Sequence, residues 1–300
     1  MRYFIFLYFL FLQGVILAQT SSTLEAKIKQ LKHDSPWRQV SASTLLFPSY
    51  HPQGMVKIGD YFFMSSVEVR KAPKSGDTGE GIGHLFKFDS TGKLIAQITL
   101  GEGSMYHPGG IDYDGKNIWV PVAEYRPNSQ SIIYKINPNT LTATEILRYP
   151  EHIGAIVHDT DKRFILGMSW GSRNFYQWKL SADGKVKNST ISPEQLRIPN
   201  PSFYIDYQDC HYINNDMMLC AGLQKYTSND KTFRLGGLDL INLKDFRPIH
   251  QVPIRLWSPT GSPMTNNPFW IEATTTGLRA YFVPDDDKAA TLFVYDVFLK

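Results

Sequence analysis

Three histidines stand at related positions in this chain. His51 opens "HPQGMVKIGDYFFMSSVEVR", His107 opens "HPGGIDYDGKNIWVPVAEYR" and His152 opens "HIGAIVHDTDKRFILGMSWGSR". Polar clusters follow each of them: Glu68 after the first, Glu124 with Tyr125 and Arg126 after the second, Trp170 with Arg173 after the third. Imidazole binds divalent metals and moves protons near neutral pH. Carboxylates held several ångströms apart act as acid and base in hydrolysis. Guanidinium groups anchor anions, and aromatic rings stack on flat ligands or sugars.

These residues matter together only if the fold brings them together, and the repeats say that it does. A fourth copy of the pattern is "YQDCHYINNDMMLCAGLQKY" from Tyr207 and a fifth is "NPFWIEATTTGLRAYFVPDDD" from Asn267. The copies are spaced by 56, 45, 55 and 60 residues. Each begins with a polar or aromatic residue, has a small or apolar residue three places on, and continues as strand, tight polar turn and second strand. Two further strands complete the unit, as in "HLFKFD" with "LIAQITL" and "SIIYKIN" with "LTATEILRY". Four antiparallel strands per repeat make a propeller blade. A single blade exposes both faces, so the blades must stack around an axis. After Asn267 there is room for three strands only, while a lone strand-like segment, "RQVSASTLLF", precedes the first copy. If that segment completes the last blade, no edge stays open. The expected fold is therefore all-β: one five-bladed propeller over residues 37–300, closed by its N-terminal strand, with an open sandwich or two β domains as the competing architecture.

Antiparallel order puts the head of the first strand and the loop after the second at the same face. His51, His107, His152, Tyr207 and Asn267 should thus ring the axis at one mouth. Glu68, Glu124, Tyr125, Arg126, Trp170, Arg173, Gln224, Tyr226, Asp285 and Asp286 should surround the same mouth, and the opposite face should carry ordinary turn residues. Each group has two readings. The three histidines suit one divalent metal ion, or each bonds a neighbouring blade and closes the channel. Glu68, Glu124 and Asp285 act as acid and base, or they pair with Arg70, Arg126 and Arg173. Tyr106, Tyr125, Trp170, Tyr207 and Trp257 stack on a ligand, or they are core.

Composition sets the remaining bounds. The chain is 42% hydrophobic and 13% aromatic, enough for a large core, and its formal charge of +3 gives no reason to invoke nucleic acid or an anionic membrane. Arg2 followed by the apolar run Tyr3 to Ala18 reads as an export signal over residues 1–18, too short for a typical span. Residues 19–36 read as linker and a short amphipathic helix from Ser21 to His33, with Leu24, Ile28 and Leu31 on one face. After cleavage the product is expected to be a secreted or periplasmic monomer that does not contact the membrane. Cys210 and Cys220 face each other across a hairpin, as a disulfide or as two buried thiols. Three local motifs carry little weight. "GMSWG" around Ser169 lacks the helix a nucleophile elbow needs. "GEGIG" at Gly79–Gly83 lacks the helix of a phosphate cradle and reads as a mobile insertion. Asn188 begins a glycosylation sequon that matters only in a eukaryotic secretory pathway.

The strings "YHPGGIDYDGKNIWVPVAEYRPNS", "SWGSRNFYQW", "YIDYQDC", "MTNNP" and "VPDDD" resemble a family of exported proteins known only as a domain of unknown function, over most of the chain after about residue 48. That resemblance implies no activity. More distantly, the arrangement is similar to five-bladed propeller glycosidases, which keep carboxylates in the channel; here histidines occupy those positions. The expected function is a hydrolase or lyase, metal-assisted if the histidines are ligands, acting on a small organic or carbohydrate-derived ligand. His107, Glu124 and Glu68 would carry the chemistry, and His51, His152, Tyr125, Arg126, Trp170, Arg173, Tyr207, Asn267 and Asp285 would hold the ligand. The alternative is a non-catalytic ligand-binding or protein-interaction propeller.

Overall fold

The computed structural model describes residues 24–299, so the expected export signal lies outside the described residues. The chain forms five antiparallel sheets around a common axis. Strand β1 (Trp37–Thr44) comes first. Blade 1 follows as β2 (His51–Ile58), β3 (Tyr61–Lys71), β4 (Glu80–Asp89) and β5 (Leu94–Leu100). Blade 2 has a split inner strand, β6 (Met105–Pro108) and β7 (Asp112–Tyr113), then β8 (Ile118–Glu124), β9 (Ser131–Ile136) and β10 (Ala143–Tyr149). Blade 3 is β11 (Ala155–Asp159), β12 (Phe164–Met168), β13 (Asn174–Lys179) and β14 (Arg197–Pro199). Blade 4 is β15 (Asp206–Asn214), β16 (Met217–Ser228), β17 (Lys231–Asn242) and β18 (Arg247–Ile254). Blade 5 contributes β19 (Phe269–Ala273), β20 (Gly277–Phe282) and β21 (Thr291–Phe298), and β1 pairs antiparallel with β21 as its outer strand. The ring is closed as the strand count required.

Each interface between blades has its own apolar core. Strand residues alternate between the two faces of a sheet, so Phe62 and Met64 of β3 pack towards blade 5 while Phe63 between them packs towards blade 2. With both faces covered, the middle strands read as continuous apolar runs; every residue of β8 is buried. Residues 24–28 are helical, and Ile28 and Leu31 are buried in the core between blades 4 and 5, with Leu24 packed against it. The helix is shorter than the one expected from Ser21 to His33, because a turn follows at residue 29. Among the described residues, no helix is long and apolar enough to cross a membrane.

Two local expectations change. Glu80–Gly83 is not a mobile insertion but the start of β4, paired with Val67 to Lys71. Glycine is required there by close packing: a Cβ on Gly81 would lie 2.4 Å from the Tyr106 ring. Cys210 and Cys220, directly opposite each other on β15 and β16, are joined by a disulfide.

The axis itself is filled. A Cβ on Gly54 would lie 2.5 Å from the backbone nitrogen of Ile111, and one on Gly110 would lie 2.7 Å from the carbonyl of Gln208. Asp209 is fully buried there, accepting the backbone N–H groups of Met55 (2.9 Å) and Ile111 (3.0 Å). Asp112 accepts those of His158 (3.0 Å) and Tyr212 (3.2 Å). His211 donates Nε2–H to the carbonyl of Phe269 at 3.0 Å, and lies 3.5 Å from Asp209 and 3.7 Å from Asp112. Burial opposes charging this imidazole, but the two carboxylates outweigh it and lift its pKa to about 10.

Three outcomes follow for the fold. Denatured protein should show no reactive thiol until it is reduced and two afterwards, counted by thiol titration. Asp209→Ala should destabilise the fold by about 3–5 kcal/mol in urea unfolding, because it strands two buried donors and a buried imidazolium. Unfolded histidine titrates near 6.5. The stabilisation from His211 is therefore complete below that pH and lost as pH rises through about 10. Unfolding free energy should fall from neutral to alkaline pH in the wild type, and His211→Gln should flatten that fall.

Candidate functional site

Above the filled axis, at the face where first strands begin, lies a cavity of ≈ 310 Å³. His51 heads β2, His107 lies on β6 and His152 precedes β11; all three line the cavity, as do Tyr207 and Asn267 from blades 4 and 5. The ring of head residues is thus assembled as their spacing required. Its imidazole centroids are 6.4 Å apart from His51 to His107 and 6.4 Å from His107 to His152.

The protonation of two of these rings is fixed by their neighbours. His152 Nδ1 lies 2.9 Å from the carbonyl oxygen of Glu124, which only accepts, so Nδ1 carries the hydrogen and Nε2 keeps its lone pair. His51 Nδ1 lies 2.9 Å from the Asp286 carboxylate and donates its hydrogen to it. Asp286 also accepts from Asn267 Nδ2 at 3.0 Å, so one carboxylate orients two ring members. His107 differs. It is 6% exposed, neither ring nitrogen has a hydrogen-bond partner, and Tyr125 stacks on it with centroids 4.1 Å apart. Burial holds His107 well below its ordinary pKa, with His152 and His51 adding to the effect, and burial lowers His152 to about 4. Both imidazoles are neutral at pH 7.

The expected carboxylates lie elsewhere. Glu124 points away from the cavity: its carboxylate accepts from Ser104 (2.7 Å), Gln130 (2.9 Å) and Arg126 (2.7 Å). Burial pushes its pKa up, but those three donors hold it below the usual range. Its contribution to the site is its backbone carbonyl. Glu68 pairs with Arg70 at 3.1 Å and lies 3.5 Å from His84. Asp285 accepts from Ser258 and Thr260 and pins that loop. Arg126 is committed to Glu124, and Arg173 to Asp206 (3.0 Å) and the carbonyls of Gly171 and Ser202. None of Glu68, Glu124, Asp285, Arg126 or Arg173 lines the cavity. Tyr207 presents only its ring, since its hydroxyl donates to Asp239 at 2.7 Å.

Other residues take their places. Asp206, at the head of β15, lines the cavity, and burial raises its carboxyl pKa against the pull of Arg173 and Lys225. Lys225 is the cation of the lining. Gln53, Ser169, Gln208 and Asn266 add neutral polar groups, and Trp170 covers one side, 41% exposed and 4.9 Å from His152. Asp206 stands one residue before the expected ring member Tyr207, the one sequence signal that points to it. Asp286 is expected at this mouth beside Asp285, and Lys225 lies between Gln224 and Tyr226, expected there as well.

The metal expectation meets a geometric difficulty. Two imidazoles sharing one ion at about 2.1 Å bring their centroids to about 5 Å. Two imidazoles holding the same oxygen at about 2.8 Å place them about 6–6.5 Å apart. The observed 6.4 Å matches the second case. Among the described residues, no three His, Cys, Asp or Glu side chains are placed to hold a metal ion.

No curated protein matches the chain. Similar solved structures include the tail fibre of Staphylococcus aureus phage P68 (9% identity, TM-score 0.49), of which the chain spans about half, 89% of this chain aligning with 53% of that one. The periplasmic gluconolactonase of Pseudomonas aeruginosa aligns over 86% of this chain and 94% of its own (10%, 0.39). A candidate glycoside hydrolase from Parabacteroides distasonis aligns over 84% and 87% (8%, 0.47). These similarities are too low to carry an argument about function. One family model does match, over residues 10–300, and by that match the chain belongs to the family described as "Family of unknown function (DUF6454)".

Proposed function

We propose that this propeller is an exported hydrolase or lyase whose mouth takes a small hydroxylated acid, such as a sugar acid or its lactone. The observation that carries this reading is His107, a buried imidazole with no partner, flanked by His51 and by His152, whose Nε2 presents an acceptor. Leaving buried polar groups unpaired costs on the order of 1–3 kcal/mol each, and a bound ligand removes that cost. Nε2 of His152 must meet a donor, which a hydroxyl group supplies. Asn267, with its amide hydrogens spent on Asp286 and Pro284, adds a carbonyl acceptor. Lys225 attracts an anionic group, and Trp170 and Tyr125 give a face for a ring. The spacing of the histidines favours a shared hydroxyl or water oxygen over a shared metal ion.

Within such a ligand, His107 is the neutral base that takes a proton, and Asp206 is the carboxyl group whose raised pKa suits it to return one. The disulfide supports export, since such bonds persist in oxidising compartments. A second reading, non-catalytic binding, is favoured by one observation: the depressed pKa of His107 makes it a weak base in the free protein.

Turnover against aldonolactones and uronate oligomers separates the two. Lactone opening is read as acid release, and elimination as the absorbance of the new double bond. In an enzyme, His107→Ala should lower kcat by about 10²-fold or more, and Lys225→Met should mainly raise KM. Binding without turnover in the wild type establishes the second reading. Ligand affinity should be level from pH 8 to about 5 and fall as pH approaches the value near 4 at which His152 protonates and loses its acceptor, measured by calorimetric titration.

A further inference from the structure

The face opposite the mouth is less ordinary than its turns suggested. First and third strands end there, which brings together the β11–β12 turn, the end of β13 with the loop that follows, and the β17–β18 turn. Between blades 3 and 4 these segments enclose a groove of ≈ 540 Å³. Its lining includes Lys162, Arg163, Lys179, Lys187 and Lys244, all exposed, and no acidic residue. One carboxylate, Asp216, reaches two of the five, Lys162 at 2.5 Å and Lys244 at 3.3 Å. Arg163, Lys179 and Lys187 have no carboxylate partner among the described residues. Other acids on the neighbouring loops are engaged: Asp161 with Tyr212, Asp183 with Ser181 and Lys185, and Asp245 with the backbone of Arg247. Against the five cations stand Asp216 and, on the neighbouring loops, Asp161 and Asp245, so the balance stays positive and rests on Arg163, Lys179 and Lys187.

We infer that this groove binds an anionic polysaccharide, a chain bearing uronate or sulfate groups. Concentrated like charge is self-repulsive and attracts a ligand of opposite sign. The positive groups sit on long exposed side chains around a concave channel, which suits repeated charges along a strand better than one deeply held anion. A flat lipid surface does not fit a concave channel, and Phe164, Leu180 and Leu243 in the groove are buried and so add no apolar groups for insertion. Single-stranded nucleic acid would require exposed aromatic faces for stacking, and Phe246, the groove's other aromatic residue, packs against Phe175 with centroids 5.4 Å apart. This site is independent of the mouth, and the polysaccharide can bind it whether or not the mouth catalyses.

The test uses the full chain on immobilised heparin and on polygalacturonate at about 0.15 M salt, where isolated surface charges are largely screened. The wild type should be retained. Lys179→Glu with Lys187→Glu should weaken apparent affinity by about tenfold or more. The same charge change at two lysines elsewhere, Lys29→Glu with Lys93→Glu, should leave it within about twofold. Near-UV circular dichroism checks that both variants stay folded. The inference is overturned if neither polymer is retained, if both variants weaken alike, or if phosphatidylglycerol vesicles or single-stranded DNA bind more tightly than either polysaccharide.

Discussion

The interaction on which this molecule depends lies on its axis, where Asp209, His211 and Asp112 join all five blades. Asp209 belongs to blade 4 and grips backbone donors of blades 1 and 2. Asp112 belongs to blade 2 and grips donors of blades 3 and 4. His211 reaches blade 5 through the Phe269 carbonyl and offsets charge between the two carboxylates. A propeller's inner strands leave backbone N–H groups facing the channel, where no ladder partner exists. Here buried carboxylates supply the partners, and the channel closes instead of filling with water. That closure gives the mouth a floor, so a tube becomes a pocket.

The apolar cores and the axial knot solve different problems. Each core joins two neighbouring blades and would tolerate small changes in the angle between them. Close backbone approach at Gly54, Gly110 and Gly154 tolerates little, since a Cβ at Gly54 or Gly110 would clash with backbone. The split of the inner strand of blade 2 belongs to this arrangement. After Pro108, Gly109 still donates to the Pro121 carbonyl of β8, whereas Gly110 leaves that ladder to exchange backbone hydrogen bonds with Gly154 and Ile156 of blade 3. The same "HPGG" therefore positions His107 at the mouth and locks blade 2 to blade 3 below it.

Much of this was legible in the sequence. Blade number, closure by the first strand and the ring of head residues follow from repeat spacing and antiparallel order, which constrain backbone position strongly. The direction of side chains beyond the head residues does not follow. Glu124 stands one residue from Tyr125, yet the two face opposite ways, because Ser104, Gln130 and Arg126 surround the carboxylate on the far side of the strand. Asp285 and Asp286 divide the same way, one pinning a loop and the other orienting His51 and Asn267. Sequence separates such neighbours only when the partners are known, and those partners lie up to 235 residues away. The basic groove was hidden for a related reason. Its five cations are scattered over three segments, and the chain's small net charge conceals their convergence.

The knot and the pocket are also linked energetically. A buried, unpartnered His107 is a cost that folding must absorb, as is His152, kept neutral by burial. The fold absorbs it because rigidity comes from elsewhere: the cores between blades, the outer closure by β1, and the axial carboxylates just beneath. Polar satisfaction is nearly complete at the floor and deliberately incomplete one layer above it. Among the described residues His84 and His107 are the buried imidazoles with both ring nitrogens unpaired, and of the two only His107 lines the cavity. That open ring, between two neighbours whose Nδ1 hydrogens are already committed, is the feature on which the proposed ligand site rests.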